Sequence, residues 1–269
     1  MKTLKVVIKG AGDIATGVAH RLFIANIRQI VMTEISKPLT VRRAVAFSDA
    51  VYDGREKEVE GVTAGTLGGG AVRPEEVFAM WEAGRIALIV DPLAEIIRAL
   101  RPDVVVDAIM AKRNTGTTKD EAPLVIGIGP GFSAPSDVHV VVESKRGHDL
   151  GRVFLEGSAE LFTGVPGPVM GFTTGRLLRA PHGGRVRHVK AIGDKVKKGE
   201  VVLFVGETPV TAGIDGVLRG LIQEIEIVEN EKVGDVDPRG ERVYCYTISE
   251  KARAIGGGVL EAIMHRFNR

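Results

Sequence analysis

Apolar residues along the first 145 positions follow two rhythms. Short continuous runs (Val6, Val7 and Ile8; Ile30, Val31 and Met32; residues 86–90, 104–108, 124–128 and 138–142) have the look of strands buried on both faces. Between them lie helically spaced sets: Ile14, Val18 and Leu22; then Val77, Met80 and Trp81, started by Pro74 and stopped by Gly84; then residues 92–100. Strand and helix in alternation predict a doubly wound parallel sheet. Residues 37–67 are less regular, with a short helix through Arg42, Arg43 and Phe47, a turn at Tyr52-Asp53-Gly54 and a weak strand over 59–64. Gly65, Gly68, Gly69 and Gly70 then form a loop.

The texture changes twice more. Residues 146–179 are glycine-spaced and polar, with no long amphipathic helix. From Ala180 on, alternation and turn pairs predict β structure, and Ile192-Gly193-Asp194 through Gly199-Glu200 returns 41 positions later as Val233-Gly234-Asp235 through Gly240-Glu241. Two copies of one turn-like motif, the second before a strand over 243–248, imply two quasi-equivalent β units. With Ala212-Gly213-Ile214-Asp215-Gly216, this part resembles the barrel-sandwich hybrid of biotinyl and lipoyl domains. Residues 201–222 contain no lysine, so neither biotin nor lipoate is expected. Val259, Ile263 and Phe267 give a closing helix. The expected fold is therefore α/β: a Rossmann-like doubly wound parallel sheet (1–145), a glycine-rich connection (146–179), a smaller β-rich barrel-sandwich hybrid domain (180–250) and a C-terminal helix (251–269).

Chemistry concentrates where the strands end. Gly10, Gly12 and Ala15 fit G-x-G-x-x-G/A between the first strand and first helix, the turn that brings backbone N–H groups to a phosphate. Glu34 closes the second strand, where a dinucleotide site places an acid on a ribose hydroxyl. Asp13 follows Gly12 at the helix N-terminus, where its charge suits the dipole and opposes a bound phosphate; it reads first as the cap and is also counted among the cofactor-binding candidates, as a residue that would face a metal or polar ligand. After the strand over 104–108, Lys112, Arg113 and Asn114 offer two cations and an amide as an opposing clamp. Gly127, Gly129 and Gly131 form a second glycine turn, which Pro130 makes a poor phosphate nest. His139, Glu143 and His148 fall short of a metal site, because positions 139 and 143 on one strand lie about 13 Å apart. Cys245 reads as a small core residue.

Bulk properties exclude several classes. Among 269 residues, 44% are hydrophobic, enough for a proper core, and the net charge of +2 with 5% aromatics gives no footprint for nucleic acid. One cysteine excludes an internal disulfide. Without an apolar leader or membrane-length run, a cytoplasmic protein without a membrane partner is expected; a homo-oligomer is left open.

IKGAGDIATGVAHRLF, IVMTEISKP, RRAVAFSDAVYDG, VVVDAIMAKRNTGT, PLVIGIGPGF and RGHDLGRV, taken in order, resemble the YqeB-like family of accessory proteins of selenium-dependent molybdenum hydroxylases. The resemblance implies a maturation factor that binds a nucleotide-bearing cofactor, either molybdenum cofactor or NAD(P), and whose partner is a molybdenum hydroxylase or its maturation machinery. The first half is also similar in kind to xanthine dehydrogenase accessory proteins. Two alternatives stand beside this reading: an NAD(P)-dependent oxidoreductase, for which no hydride-transfer pair is legible, and a non-enzymatic docking scaffold.

Overall fold

The computed structural model describes residues 3–68 and 72–268; Gly69 and Gly70 of the expected glycine loop lie outside them. The chain divides into two compact units, one of Met1–Pro38, Ala46–Phe162 and Ile248–Arg269, the other of Leu39–Val45 and Thr163–Thr247.

The larger unit is built on a sheet of nine strands: β1 (Lys5–Lys9), β2 (Gln29–Glu34), β3 (Glu56–Val59), β4 (Val62–Thr66), β5 (Ile86–Val90), β6 (Val104–Asp107), β7 (Leu124–Ile128), β8 (Val140–Val142) and β9 (Val153–Phe154). They lie in the order β3-β4-β5-β2-β1-β6-β7-β8-β9. From β4 to β8 neighbours run parallel, with Ile8 beside both Met32 and Val106, whereas β3 and β9 are antiparallel edges. Central strands carry no polar face: Val6, Val7, Ile8, Val31, Leu88 and Val105 are fully buried. Alternate residues Val7, Val31, Ala87, Val105 and Val125 pack on Val77 of helix α2 (Pro74–Glu82) and on Ile96 and Leu100 of the short α3 (Ile96–Leu100), which is preceded in the chain by α1 (Asp13–Ile24).

The last helix, α4 (Glu250–Phe267), is capped by Ser249, whose hydroxyl accepts the Ala252 N–H at 3.2 Å. It lies against α1. A Cβ on Gly17 would stand 2.6 Å from that of Ala252, and one on Gly256 would stand 3.0 Å from the Gly17 carbonyl and from the Arg21 Cβ. Residues 17 and 21 therefore sit beside 252 and 256, so the two helices run parallel and start at the same end of the sheet.

The structure corrects the expectation of a Rossmann-like doubly wound parallel sheet followed by a barrel-sandwich hybrid. The architecture is mixed α/β around one large sheet with antiparallel edges. The connections from β6 to β7 and from β7 to β8 hold no α-helix, because residues 108–123 and 129–139 are glycine-broken and lack apolar periodicity. Nor is the second unit an appended domain of residues 180–250. It also takes Leu39–Val45, whose Val41 carbonyl accepts the Leu221 N–H at 2.8 Å.

That unit has two four-stranded antiparallel sheets. Its strands are β10 (Leu177–Arg179), β11 (Gly184–His188), β12 (Lys195–Val196), β13 (Val201–Val205), β14 (Thr208–Thr211), β15 (Gly216–Leu221), β16 (Glu226–Ile227) and β17 (Lys232–Asp237), ordered β10-β17-β15-β12 and β14-β13-β11-β16. Val186, Leu203, Leu218 and Val236 share its core. The two motif copies are not equivalent: Gly193 has φ +96° in a turn, whereas Gly234 and Asp235 lie inside β17. The strand expected over 243–248 is instead a 3-10 turn, Arg242–Cys245.

Candidate functional site

The glycine turn after β1 is closed from within. Gly10, at φ +94°, passes so near β6 that a Cβ would meet the Ala108 carbonyl at 3.1 Å, and its N–H is given to the Thr33 carbonyl at 2.8 Å. Ala11 N–H is donated to Glu34 Oε2 at 2.9 Å, while Glu34 Oε1 accepts the Ile35 N–H at 2.9 Å. The Ala11 carbonyl accepts from Ser48 N–H at 2.9 Å and from the Thr16 hydroxyl at 3.2 Å, and that hydroxyl in turn accepts the Phe47 N–H. The 3-10 turn Phe47–Val51 thus lies on the glycine turn. Burial raises the Glu34 pKa, opposed by its bonds to the Ile35 and Ala11 backbone.

These contacts revise the roles of the turn residues. Glu34 braces the turn, with one backbone N–H on each of its oxygens. Ala15 is fully buried, so it packs rather than touches ligand. The cap of α1 is Gly12, in extended conformation, and Asp13 is the first helical residue instead of the cap.

The loop after β6 hangs on a buried polar chain. Asp107 Oδ2 accepts from the Thr117 hydroxyl at 2.7 Å, the same hydroxyl accepts from Lys9 Nζ at 2.8 Å, and Lys9 also reaches Glu121 at 2.8 Å. Asn114 builds this loop: its Oδ1 accepts from Gly116 and Thr117 N–H, and its amide donates to the Thr117 carbonyl. These bonds take the amide oxygen and one of the two amide hydrogens, so Asn114 shapes the loop and keeps one donor for the expected clamp. Arg113 is exposed, and its backbone lies against Gly131, where a Cβ would approach within 2.5 Å of the Arg113 Cα. Met110 and Lys112 both hold left-handed backbone, φ +64° and +65°, uncommon outside glycine. Lys112 is the one member of the expected clamp that joins a charged cluster.

That cluster surrounds Lys251, in the first turn of α4. Lys251 is partly buried and its pKa falls to about 8, first through desolvation, then through the charge of Lys112, with Asp13 and Glu143 opposing and Arg146 assisting. Lys112 is also held below the ordinary lysine value by desolvation of its ammonium, again opposed by Asp13, although the residue as a whole is exposed. Arg146 pairs with Glu250 at 2.5 Å, leaving its buried Nε without a hydrogen-bond partner. Three cations therefore share the carboxyl end of the parallel strands with the N-termini of two parallel helices, whose dipoles add positive potential there. Such an arrangement is electrostatically suited to an anion.

The chain alone marks neither Lys251 nor Arg146 as site residues. Lys251 has no local motif, and only the pairing of α4 with α1 brings it to Asp13. Glu143 orders the neighbourhood: its buried carboxylate accepts N–H bonds from Ser144, Lys145 and Glu160, each at 2.7 Å. His139 Nδ1 accepts the Val125 N–H at 3.0 Å, and among the described residues no His, Cys, Asp and Glu side chains are grouped to hold a metal. Cys245 is fully buried, with its thiol pKa raised by burial. No described helix is long and apolar enough to cross a membrane.

No family model matches the sequence. It is 48% identical over 260 residues, 96% of its length, to the uncharacterized protein YqeB of Escherichia coli K12. The chain is thus similar in sequence to YqeB. It spans 47% of that relative, about half its length. Solved structures that align with it include an aspartoacylase family protein of Mesorhizobium loti (12% identity, TM-score 0.27, 87% of this chain and 85% of that one). Another is a succinylglutamatedesuccinylase/aspartoacylase of Rhodobacter sphaeroides (13% identity, TM-score 0.28, 87% and 85%). Scores this low fall short of a shared fold. The YqeB likeness is thus one of sequence.

Proposed function

We propose that this protein binds a phosphate-bearing, nucleotide-type cofactor at the carboxyl end of its large sheet and serves as a maturation factor for a selenium-dependent molybdenum hydroxylase. The observation behind the binding step is the meeting of Lys112, Arg146 and Lys251 with the N-termini of two parallel helices. The maturation role rests on the YqeB resemblance. Against a dinucleotide held in the ordinary way, Glu34 and Ala11 already satisfy each other, so the anion sits toward α4 rather than in the glycine turn.

Molybdenum cofactor and NAD(P) are both candidates, since each carries phosphate, and the cation set fits that part of either molecule. Lys112, Arg146 and Lys251 would hold the phosphate. A bound molybdenum cofactor would supply the redox-active metal of the partner hydroxylase. The buried Cys245 offers no exposed thiolate for sulfur delivery, so the role of this chain's residues is holding rather than transfer.

A thermal-shift panel of inorganic pyrophosphate, CTP, NAD, NADP and molybdenum cofactor preparations tests the binding step. Stabilisation by phosphate-bearing ligands, lost when Lys112 and Lys251 are both changed to methionine, is the expected result. A flat panel at saturating ligand removes the reading. Co-purification with a molybdenum hydroxylase or its maturation proteins tests the partner.

A further inference from the structure

The segment that follows Glu160 exposes apolar side chains beside the cations. Leu161 is 83% and Phe162 56% accessible, and Leu155, earlier in the same stretch, is 47% accessible. Isolated exposed apolar residues need no explanation, but Phe162 and its neighbour Leu161 are exposed where one ring meets a cation of the cluster. Lys112 Nζ stands 5.4 Å from the Phe162 ring centroid, so one of the three cations already lies over this ring. The segment is fixed at its base. Glu160 donates its N–H to Glu143 Oε2 at 2.7 Å, and its carboxylate pairs with Lys145. The same Glu143 carboxylate accepts from Ser144 and Lys145, just before Arg146. One buried carboxylate therefore anchors the backbone just ahead of both Arg146 and Phe162.

We propose that Phe162 is the platform for the planar ring of the ligand, with Leu161 at its border. The site then takes a ring-bearing phosphate ester: phosphate on Lys112, Arg146 and Lys251, heteroaromatic ring stacked on Phe162. This rests on the proposed phosphate site and adds the ring to it. The chemistry fits because Lys112 serves both halves, neutralising phosphate while lying against the aromatic face. Stacking on an aromatic side chain tolerates any base, so a common nucleotide can report it.

The experiment is calorimetric titration of the full chain with inorganic pyrophosphate and with ADP, for wild type, Phe162→Ala and Phe162→Trp. ADP is expected to bind on the order of tenfold more tightly than pyrophosphate in the wild type. That advantage, taken as the ratio of ADP to pyrophosphate affinity within each protein, should vanish in Phe162→Ala and persist in Phe162→Trp; the exposure of Phe162 makes all three proteins foldable. Equal affinity for ADP and pyrophosphate in the wild type, or an ADP advantage that survives Phe162→Ala, overturns the ring platform alone and leaves Phe162 and Leu161 as a surface for a protein partner. Binding of neither probe overturns the phosphate site and the platform together.

Discussion

Glu34 Oε2 accepts the N–H of Ala11 across 2.9 Å, tying the end of the second strand to the turn that follows the first. Ala11 is fully buried, so that N–H has no water to fall back on. Glu34→Ala should therefore cost roughly 1–3 kcal/mol, the penalty of leaving a buried donor unsatisfied. Trp81 is the single tryptophan, and its Nε1 donates to the Ile30 carbonyl of β2. Urea unfolding followed by its fluorescence reads the larger unit directly. Glu34→Gln keeps an acceptor oxygen and should lose about half as much. Equal stability of all three proteins would return Glu34 to the ligand.

Much of this neighbourhood could be read along the chain. The runs at Val6, Ile30, Ile86, Val104 and Leu124 announce buried strands because fully buried parallel strands have no polar face to conceal them. The glycines at 10 and 12 are likewise visible, since the turn needs positive φ and close approach to β6. What escaped is tertiary. Nothing near Lys251 in the sequence says that α4 returns to lie parallel to α1. Nothing near Val41 says that the segment Leu39–Val45 belongs to the other unit. The repeated Gly-Asp motif misleads for the same reason. Asp194 is exposed and caps a turn at the Ala191 N–H, whereas Asp235 is buried between Arg176 and Arg219. Identical residues serve a hairpin in one copy and an internal ion pair in the other.

The parallel contact of α1 with α4 depends on missing side chains. A Cβ on Gly17 would meet that of Ala252 at 2.6 Å, and one on Gly258 would run into the Gly151 carbonyl. Gly257, between them, faces open space. Gly17→Ala and Gly258→Ala should each destabilise the larger unit by about 1–3 kcal/mol through overpacking. Gly257→Ala should instead be neutral or stabilising by up to ~1 kcal/mol, because alanine is the better helix former. The same Trp81 unfolding curves decide between these signs. A loss at position 257 equal to that at 17 would mean that the close approach to Ala252 is not what makes Gly17 necessary.

Asp13 is the first residue of α1 and acts on the charges of Lys112 and Lys251, so it occupies electrostatic ground that an anionic ligand would use. Asp13→Asn removes a negative charge from the helix N-terminus, a loss of roughly 0.3–1 kcal/mol in stability. It also removes repulsion toward phosphate. Pyrophosphate should consequently bind the variant more tightly than wild type, by several-fold in calorimetric titration at low salt. Weaker binding would show that the carboxylate holds part of the ligand or a bridging cation.

Lys251 supplies the pH dependence. Its folded pKa is about 8, against 10.5 for an ordinary lysine, because desolvation and Lys112 disfavour the ammonium more than Asp13 and Glu143 support it, with Arg146 on the unfavourable side. Below pH 8 the folded protein carries this charge at a cost; between 8 and 10.5 the unfolded chain binds the extra proton, and stability rises with pH by at most roughly 3 kcal/mol in total. Ligand affinity runs the other way. An anion stabilises the ammonium, so pyrophosphate should bind with uptake of a proton near pH 8 and weaken as the pH climbs from 7 to 9. Titrations in buffers of different ionisation enthalpy measure that uptake. In Lys251→Met the uptake should shrink and the profile over the same interval should become shallower, leaving the parts due to Lys112, whose pKa is also lowered, and to pyrophosphate itself, which titrates in this range. If the wild-type profile is already flat and protons are not exchanged, Lys251 does not meet the anion and the site lies elsewhere on the sheet edge.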